Sequence, residues 1–277
     1  MNRWILPHDK ERKNGKDQVY QFLFVNLRHD MKKNDSHIII NVLLCDTFPG
    51  RLPSDIPTYV TMFERLFSQT DVDVEFVIYM AMNGELPSAI RTDEIYLIPG
   101  CMYSAYDEFP WIAGLEEWIR DAFKRKAFLF GVCFGHQVIA KALGGTVEHY
   151  SGGWGTGVRQ SHVVDSTLLE HFADGQLRLL YNHHDQVITP PGDAISLATS
   201  DFCRYEALRY GHHVFTFQGH PEYTPYYMGY YLNNLAADQD QDVVARALQS
   251  VEEMTPQGPA VARWLIEMFN RWLTETC

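Results

Sequence analysis

Two rhythms of apolar residues alternate along the chain. Apolar-rich runs recur at Ile38–Leu44, Val72–Tyr79, Ile95–Ile98, Phe128–Val132 and His213–Gln218. Between them, apolar residues fall at three- and four-residue spacing: Tyr59, Met62, Phe63, Leu66 and Phe67, then Trp111, Leu115, Trp118 and Ile119, then Val138, Ile139, Ala142 and Leu143. Runs of the first kind read as buried strands and the second as helices with one apolar face. Pro110 suits the first turn of the second helix, and Lys124, Arg125 and Lys126 suit its last. Strands alternating with helices predict an α/β domain whose mostly parallel central sheet is flanked by helices. In such sheets the site lies at the carboxyl ends of the strands. That places the Cys45–Thr47 turn, the Pro99–Tyr103 loop and Cys133 on one rim.

After Gly144-Gly145 the rhythm changes. Strand-like pieces at Thr146–Tyr150 and Val158–Val164 flank the glycine-rich Gly152–Gly157, and Leu177–Tyr181 and Ile195–Thr199 also read as extended. This is a β-rich extension. The His213–Gln218 strand then delivers Gly219-His220-Pro221-Glu222. Two apolar stripes, Val243 to Val251 and Trp264 to Trp272, predict a helical C-terminal tail covering the sheet. Residues 1–36 are lysine-rich and polar, apart from an apolar island at Val19–Leu27. They read as an N-terminal extension to a domain spanning 37–277.

Composition narrows the field. A chain of 277 residues, 46% hydrophobic and 21% charged, can bury a large core. A formal net charge of -12 argues against nucleic acid or an anionic membrane surface as partner. The N-terminus lacks the apolar core of a secretory signal, and no stretch approaches a membrane span. Five cysteines, Cys45, Cys101, Cys133, Cys203 and Cys277, are odd in number and show no Cys-x-x-Cys pair. A disulfide framework is not expected, and a reducing, cytoplasmic setting fits.

The chemistry gathers on Gly131-Val132-Cys133-Phe134-Gly135-His136-Gln137. A side chain on a sharp strand-to-helix turn is pushed out above the sheet edge, and flanking glycines relieve crowding there. The helix that follows aims its amides and positive dipole end at Cys133, which favours thiolate, the nucleophilic form. The amide of Phe134 lies where an oxyanion would form. A cysteine nucleophile needs a base, and the base an orienter. His220 and Glu222, two apart at a strand end, project to the same side and supply both.

Gly131–Gln137 and Gln218-Gly219-His220-Pro221-Glu222 together resemble the two signatures of class I glutamine amidotransferases, and the likeness runs in matching order from Ile38 to about Tyr231. The Gly100–Ile112 run and the Gly153–Gly157 segment are similar to the stand-alone branch that includes plant γ-glutamyl peptidases. The resemblance implies a flavodoxin-like fold, with Cys133 as nucleophile, His220 as base and Glu222 as orienter. It implies an oxyanion hole from backbone amides of Phe134, Gly100 and Cys101. It also implies Gln137, Asn182, His183, His184 and Asp185 near the glutamyl moiety of a small γ-glutamyl substrate. No cofactor is implied. One departure stands out: many members carry a second glycine where this chain has Cys101. The reaction implied is attack of Cys133 on a γ-glutamyl amide, a γ-glutamyl thioester, and release of glutamate by water.

Three readings remain open at this point. One is a self-contained hydrolase of γ-glutamyl compounds. Another is a glutaminase subunit feeding ammonia to a separate synthase, for which the chain has no obvious second domain. The third is a non-catalytic binding module on the same fold, against which the intact Cys133, His220 and Glu222 set argues. Self-association is left undecided. Histidines at 136, 183, 184, 212, 213 and 220 raise a metal, but adjacent histidines on a strand diverge, and no metal site is expected.

Overall fold

The computed structural model describes residues 37–47 and 56–276. The N-terminal extension expected at 1–36 lies outside the described residues, as does the loop carrying Pro49, Gly50 and Pro53. In chain order the elements are β1 (His37–Leu43), α1 (Tyr59–Phe67), β2 (Asp73–Tyr79), β3 (Ile95–Ile98), α2 (Pro110–Lys124), β4 (Phe128–Val132) and α3 (Phe134–Ala142). Then follow β5 (Thr146–His149), β6 (Gly155–Val163), α4 (Ser166–Leu169), β7 (Gln176–His183), β8 (Asp185–Thr189), β9 (Ile195–Thr199), β10 (Ala207–Tyr210) and β11 (Val214–Phe217). Helices α5 (Pro225–Asn234), α6 (Gln241–Glu253) and α7 (Gly258–Thr276) complete the chain.

One sheet runs in the order β2-β1-β3-β4-β11-β10-β9-β6-β7. Its first five strands are mutually parallel, the core predicted from the alternating pattern, and the remaining pairings are antiparallel. The antiparallel half is the β-rich extension. A second, two-stranded sheet pairs β5 with β8.

The parallel strands carry apolar residues on both faces because both are covered. On one face Phe128, Phe215 and Phe217 meet α7, with Trp264 edge-on to Phe215 and Phe217 and Phe269 edge-on to Phe128. On the other, Tyr96, Leu129 and Val214 pack with α2 and α3, and Val147 and Val187 of the small sheet join them. A third cluster joins Tyr59 and Met62 of α1 to Tyr223, Met228 and Leu232 around α5. No helix among the described residues is long and apolar enough to cross a membrane.

Two details depart from the sequence pattern. The glycine-rich stretch is not all loop, since β6 begins at Gly155. A Cβ at Gly155 would lie 2.5 Å from the His183 ring, and one at Gly157 would lie 2.8 Å from Ala247 of α6. These glycines let neighbours close on a strand, a use that composition does not distinguish from a turn. Of the two C-terminal stripes, only that of α7 lies on the large apolar face. Helix α6 buries Ala247 alone and sits against β6, where the Ser250 hydroxyl accepts from the Val158 amide at 2.9 Å.

Candidate active site

Strands β3, β4 and β11 end level with one another, with Ile98 in register with Gly131 and Val132 with Phe217. The segments leaving their carboxyl ends therefore converge. Cys133 follows β4 directly, and its amide donates to the Phe217 carbonyl at 2.8 Å. Its backbone has φ 53 and ψ -102, a region that disfavours a residue bearing a side chain and costs about 1–3 kcal/mol. The two glycines hold the bend. A Cβ at Gly131 would lie 2.7 Å from the Gly135 backbone, and one at Gly135 would lie 2.0 Å from the Ile98 carbonyl oxygen. The first turn of α3 thus presses onto the end of β3, and only glycine fits there.

Three residues beyond β11, His220 is tied by its amide to the Leu180 carbonyl at 2.7 Å. Its Nδ1 lies 2.8 Å from Glu222 Oε1, and both side chains are buried. Nε2 is left for the thiol, with which His220 also shares a hydrogen bond. Burial pulls the imidazolium down, but Glu222 and Cys133 outweigh it and carry His220 from 6.5 to about 10. The Tyr223 ring stacks on the imidazole at 3.8 Å between centroids, with 6° between planes. A π-face so placed favours the cationic ring. Tyr223 in turn bonds Tyr59 of α1 and packs on Tyr227 of α5. The sequence marked Tyr59 only as part of an apolar helical stripe and did not single out Tyr223; the position of Tyr223 beside Glu222 was the available signal.

The Gly100–Cys101 turn closes over this pair. A Cβ at Gly100 would come 2.9 Å from His220 Cε1. The Cys101 side chain turns back, its thiol donating to the Cys45 carbonyl at 3.0 Å, and burial pushes that thiol well up. The side chain that replaces the family's second glycine is thus occupied behind the turn. The rest of the loop is pinned. The Met102 amide donates to Asp46 at 3.2 Å, and the hydroxyls of Ser104 and Tyr106 donate to the Asp185 carboxylate at 2.6 and 2.9 Å. The Cys45–Thr47 turn, the Pro99–Tyr103 loop and Cys133 therefore share one rim, as the strand pattern predicted.

The other residues expected near a substrate are placed as follows. Gln137 is buried, and its amide nitrogen donates to the Asp185 carbonyl at 2.8 Å and to Gln218 at 3.1 Å. Asn182 accepts from Gln239 at 2.8 Å. His183 is buried, contacts the Asp185 carbonyl at 3.0 Å, and is lowered to about 3, chiefly by burial. His184 faces the other way, 2.7 Å from Asp185 Oδ1, and is raised by that hydrogen bond. Asp185 is buried; although burial raises it, its bonds to His184 and Ser104 hold its carboxyl below the usual range. These residues thus form a frame around the rim. Among the histidines that raised a metal, His136 is buried against Thr216, and His213 lies between Phe123 and Trp272.

Chemically, the assembly offers a sulfur on a strained bend, an imidazole–carboxylate pair facing it, and amides at the start of α3 and in the Gly100–Cys101 turn. It can move a proton between sulfur and nitrogen and hold a developing oxyanion.

The family described as glutamine amidotransferase class-I matches residues 55–236. A γ-glutamyl peptidase of Arabidopsis thaliana, peptidase 3, is 30% identical over 173 residues, covering 60% of this chain and 69% of that one. One of the subunits of the glutamine-hydrolysing GMP synthase of Methanospirillum hungatei is 36% identical over 111 residues, covering 37% of this chain and 54% of that one. The crystal structure of a glutamine amidotransferase from Thermotoga maritima superposes with a TM-score of 0.63 at 19% identity, over 86% of this chain and 99% of that one.

Proposed function

Because the chain belongs to the class-I glutamine amidotransferase family, we propose that it hydrolyses a γ-glutamyl amide bond by cysteine catalysis. The observation that carries the reading is the Cys133 bend set against the buried His220–Glu222 pair. In this mechanism His220 Nε2 takes the Cys133 proton, and the thiolate attacks the γ-carbonyl. The amides of Phe134 and of the Gly100–Cys101 turn hold the tetrahedral oxyanion, each donor contributing about 3–4 kcal/mol. The imidazolium protonates the leaving amine, which departs as the γ-glutamyl thioester forms. His220 then activates water, and glutamate is released with the thiol restored. Glu222 holds the imidazole tautomer throughout. Cys133 is 7% exposed, so access suits a slender unbranched end such as a γ-glutamyl group.

A self-contained hydrolase is the preferred reading, supported by the longer match to the γ-glutamyl peptidase. The similarity to the GMP synthase component supports a second reading, a glutaminase that works beside a separate synthase. One experiment addresses both: release of free glutamate from glutamine, glutathione, its S-conjugates and γ-glutamyl amines by the isolated chain. We expect turnover of at least one γ-glutamyl compound, and its loss in Cys133→Ala with substrate binding retained. Full activity of that variant would falsify the mechanism. Glutaminase activity that appears only with an added partner would favour the second reading.

A further inference from the structure

We propose that His149, His184 and Asp185 form a binding site for one divalent transition-metal ion of the zinc class, separate from the cysteine chemistry. The sequence hid it. His184 has an adjacent histidine that diverges into the core, while its effective partner lies 35 residues upstream on another strand. Antiparallel pairing of β5 with β8 puts His149 in register with Asp185. The Tyr150 amide closes the same end by donating to the His184 carbonyl at 2.8 Å.

Three potential ligand atoms converge there. His184 Nδ1 is 2.7 Å from Asp185 Oδ1, His149 Nδ1 is 3.1 Å from His184 Nδ1, and His149 Nδ1 is 3.5 Å from the same carboxylate oxygen. Tetrahedral zinc with bonds of roughly 2.0–2.1 Å sets its ligand atoms about 3.3 Å apart, and these three separations bracket that value. One cation at the centre would be shared by the two Nδ1 lone pairs and the carboxylate oxygen. Two imidazoles and one carboxylate favour zinc, copper or nickel over magnesium or calcium.

The surroundings resemble the outer shell of a metal site. Asp185 is buried, and hydroxyls of Ser104 and Tyr106 fix its carboxylate. The Trp154 ring meets the His184 ring edge-on at 4.6 Å. Such outer contacts orient the ligating groups. His149 is exposed, which leaves the fourth position open to solvent. Through Asp185, Ser104 and Tyr106 the ion would be joined to the loop that carries Gly100 and Cys101.

The test is Co2+ titration of the full-length Cys133→Ser protein, which removes the thiol that could capture metal beside His220. We expect one Co2+ per chain, with the intense visible bands of four-coordinate cobalt, displaced by Zn2+. Adding His149→Ala should weaken uptake at least about tenfold while the urea midpoint stays put. His184→Gln should do the same if its own fold check holds. No stoichiometric uptake, uptake indifferent to His149→Ala, or a sulfur-to-cobalt charge-transfer band overturns the proposal.

Discussion

At the scale of single residues, the buried histidines pull stability in opposite directions. Burial lowers His136 and His183 from 6.5 to about 3, so the native state keeps them neutral. Below 6.5 the unfolded chain takes up protons that the native chain refuses. Stability therefore falls as pH drops toward 3, by about 1.4 kcal/mol per pH unit for each site. His220 behaves in the reverse sense. Its folded pKa is raised to about 10, so its contribution is complete below 6.5, declines as pH rises, and is gone above 10. The two effects predict a maximum near pH 6.5 in urea midpoints measured across a pH series. Glu222→Gln removes the nearest anion from His220. It should flatten the alkaline limb and lower turnover by about 10²–10⁴-fold, leaving the acid limb in place. The sequence singled out Cys133, His220 and Glu222 because two short motifs carry them, and the fold brings the three side chains together. It did not single out Tyr223, which stacks on His220, or the bond of Tyr59 to Tyr223, which depends on where α1 comes to rest.

At the scale of elements, the strands and helices of the parallel half were legible because burial on both faces of the inner strands writes apolar-rich runs. The antiparallel half was less so. Strand β10 is short, and β7 and β8 are parted by a single residue, His184, where the chain passes from one sheet to the other. A run such as Asn182–Asp185 therefore reads as one segment in sequence yet serves two sheets. Gln137 staples this junction to α3 through the Asp185 carbonyl and Gln218. Gln137→Ala should lower unfolding free energy by about 2 kcal/mol, since two buried acceptors lose their donor. The check is urea denaturation alongside steady-state kinetics. A selective rise in KM with unchanged stability would instead return Gln137 to direct contact with substrate.

At the scale of the molecule, the C-terminal helix reaches the site from behind. A Cβ at Gly258, where α7 begins, would lie 1.9 Å from the Pro221 carbonyl oxygen. Pro221 sits between His220 and Glu222. Gly258→Ala must therefore displace the segment that carries the imidazole and its carboxylate. We expect kcat to fall about tenfold to a hundredfold with little change in far-ultraviolet circular dichroism, measured on the substrate that the glutamate-release panel identifies. The apolar stripe of α7 announced a covering helix, but nothing in its period revealed that its first residue abuts this turn.

The adjacency of β4 and β11 has a consequence for synthesis. Cys133 leaves the ribosome long before His220 and Glu222 do. Until the later strand docks beside the earlier one, its sulfur has neither imidazole nor carboxylate within reach. Under the proposed mechanism, a growing chain would therefore be inactive until the sheet closes and brings the three groups together.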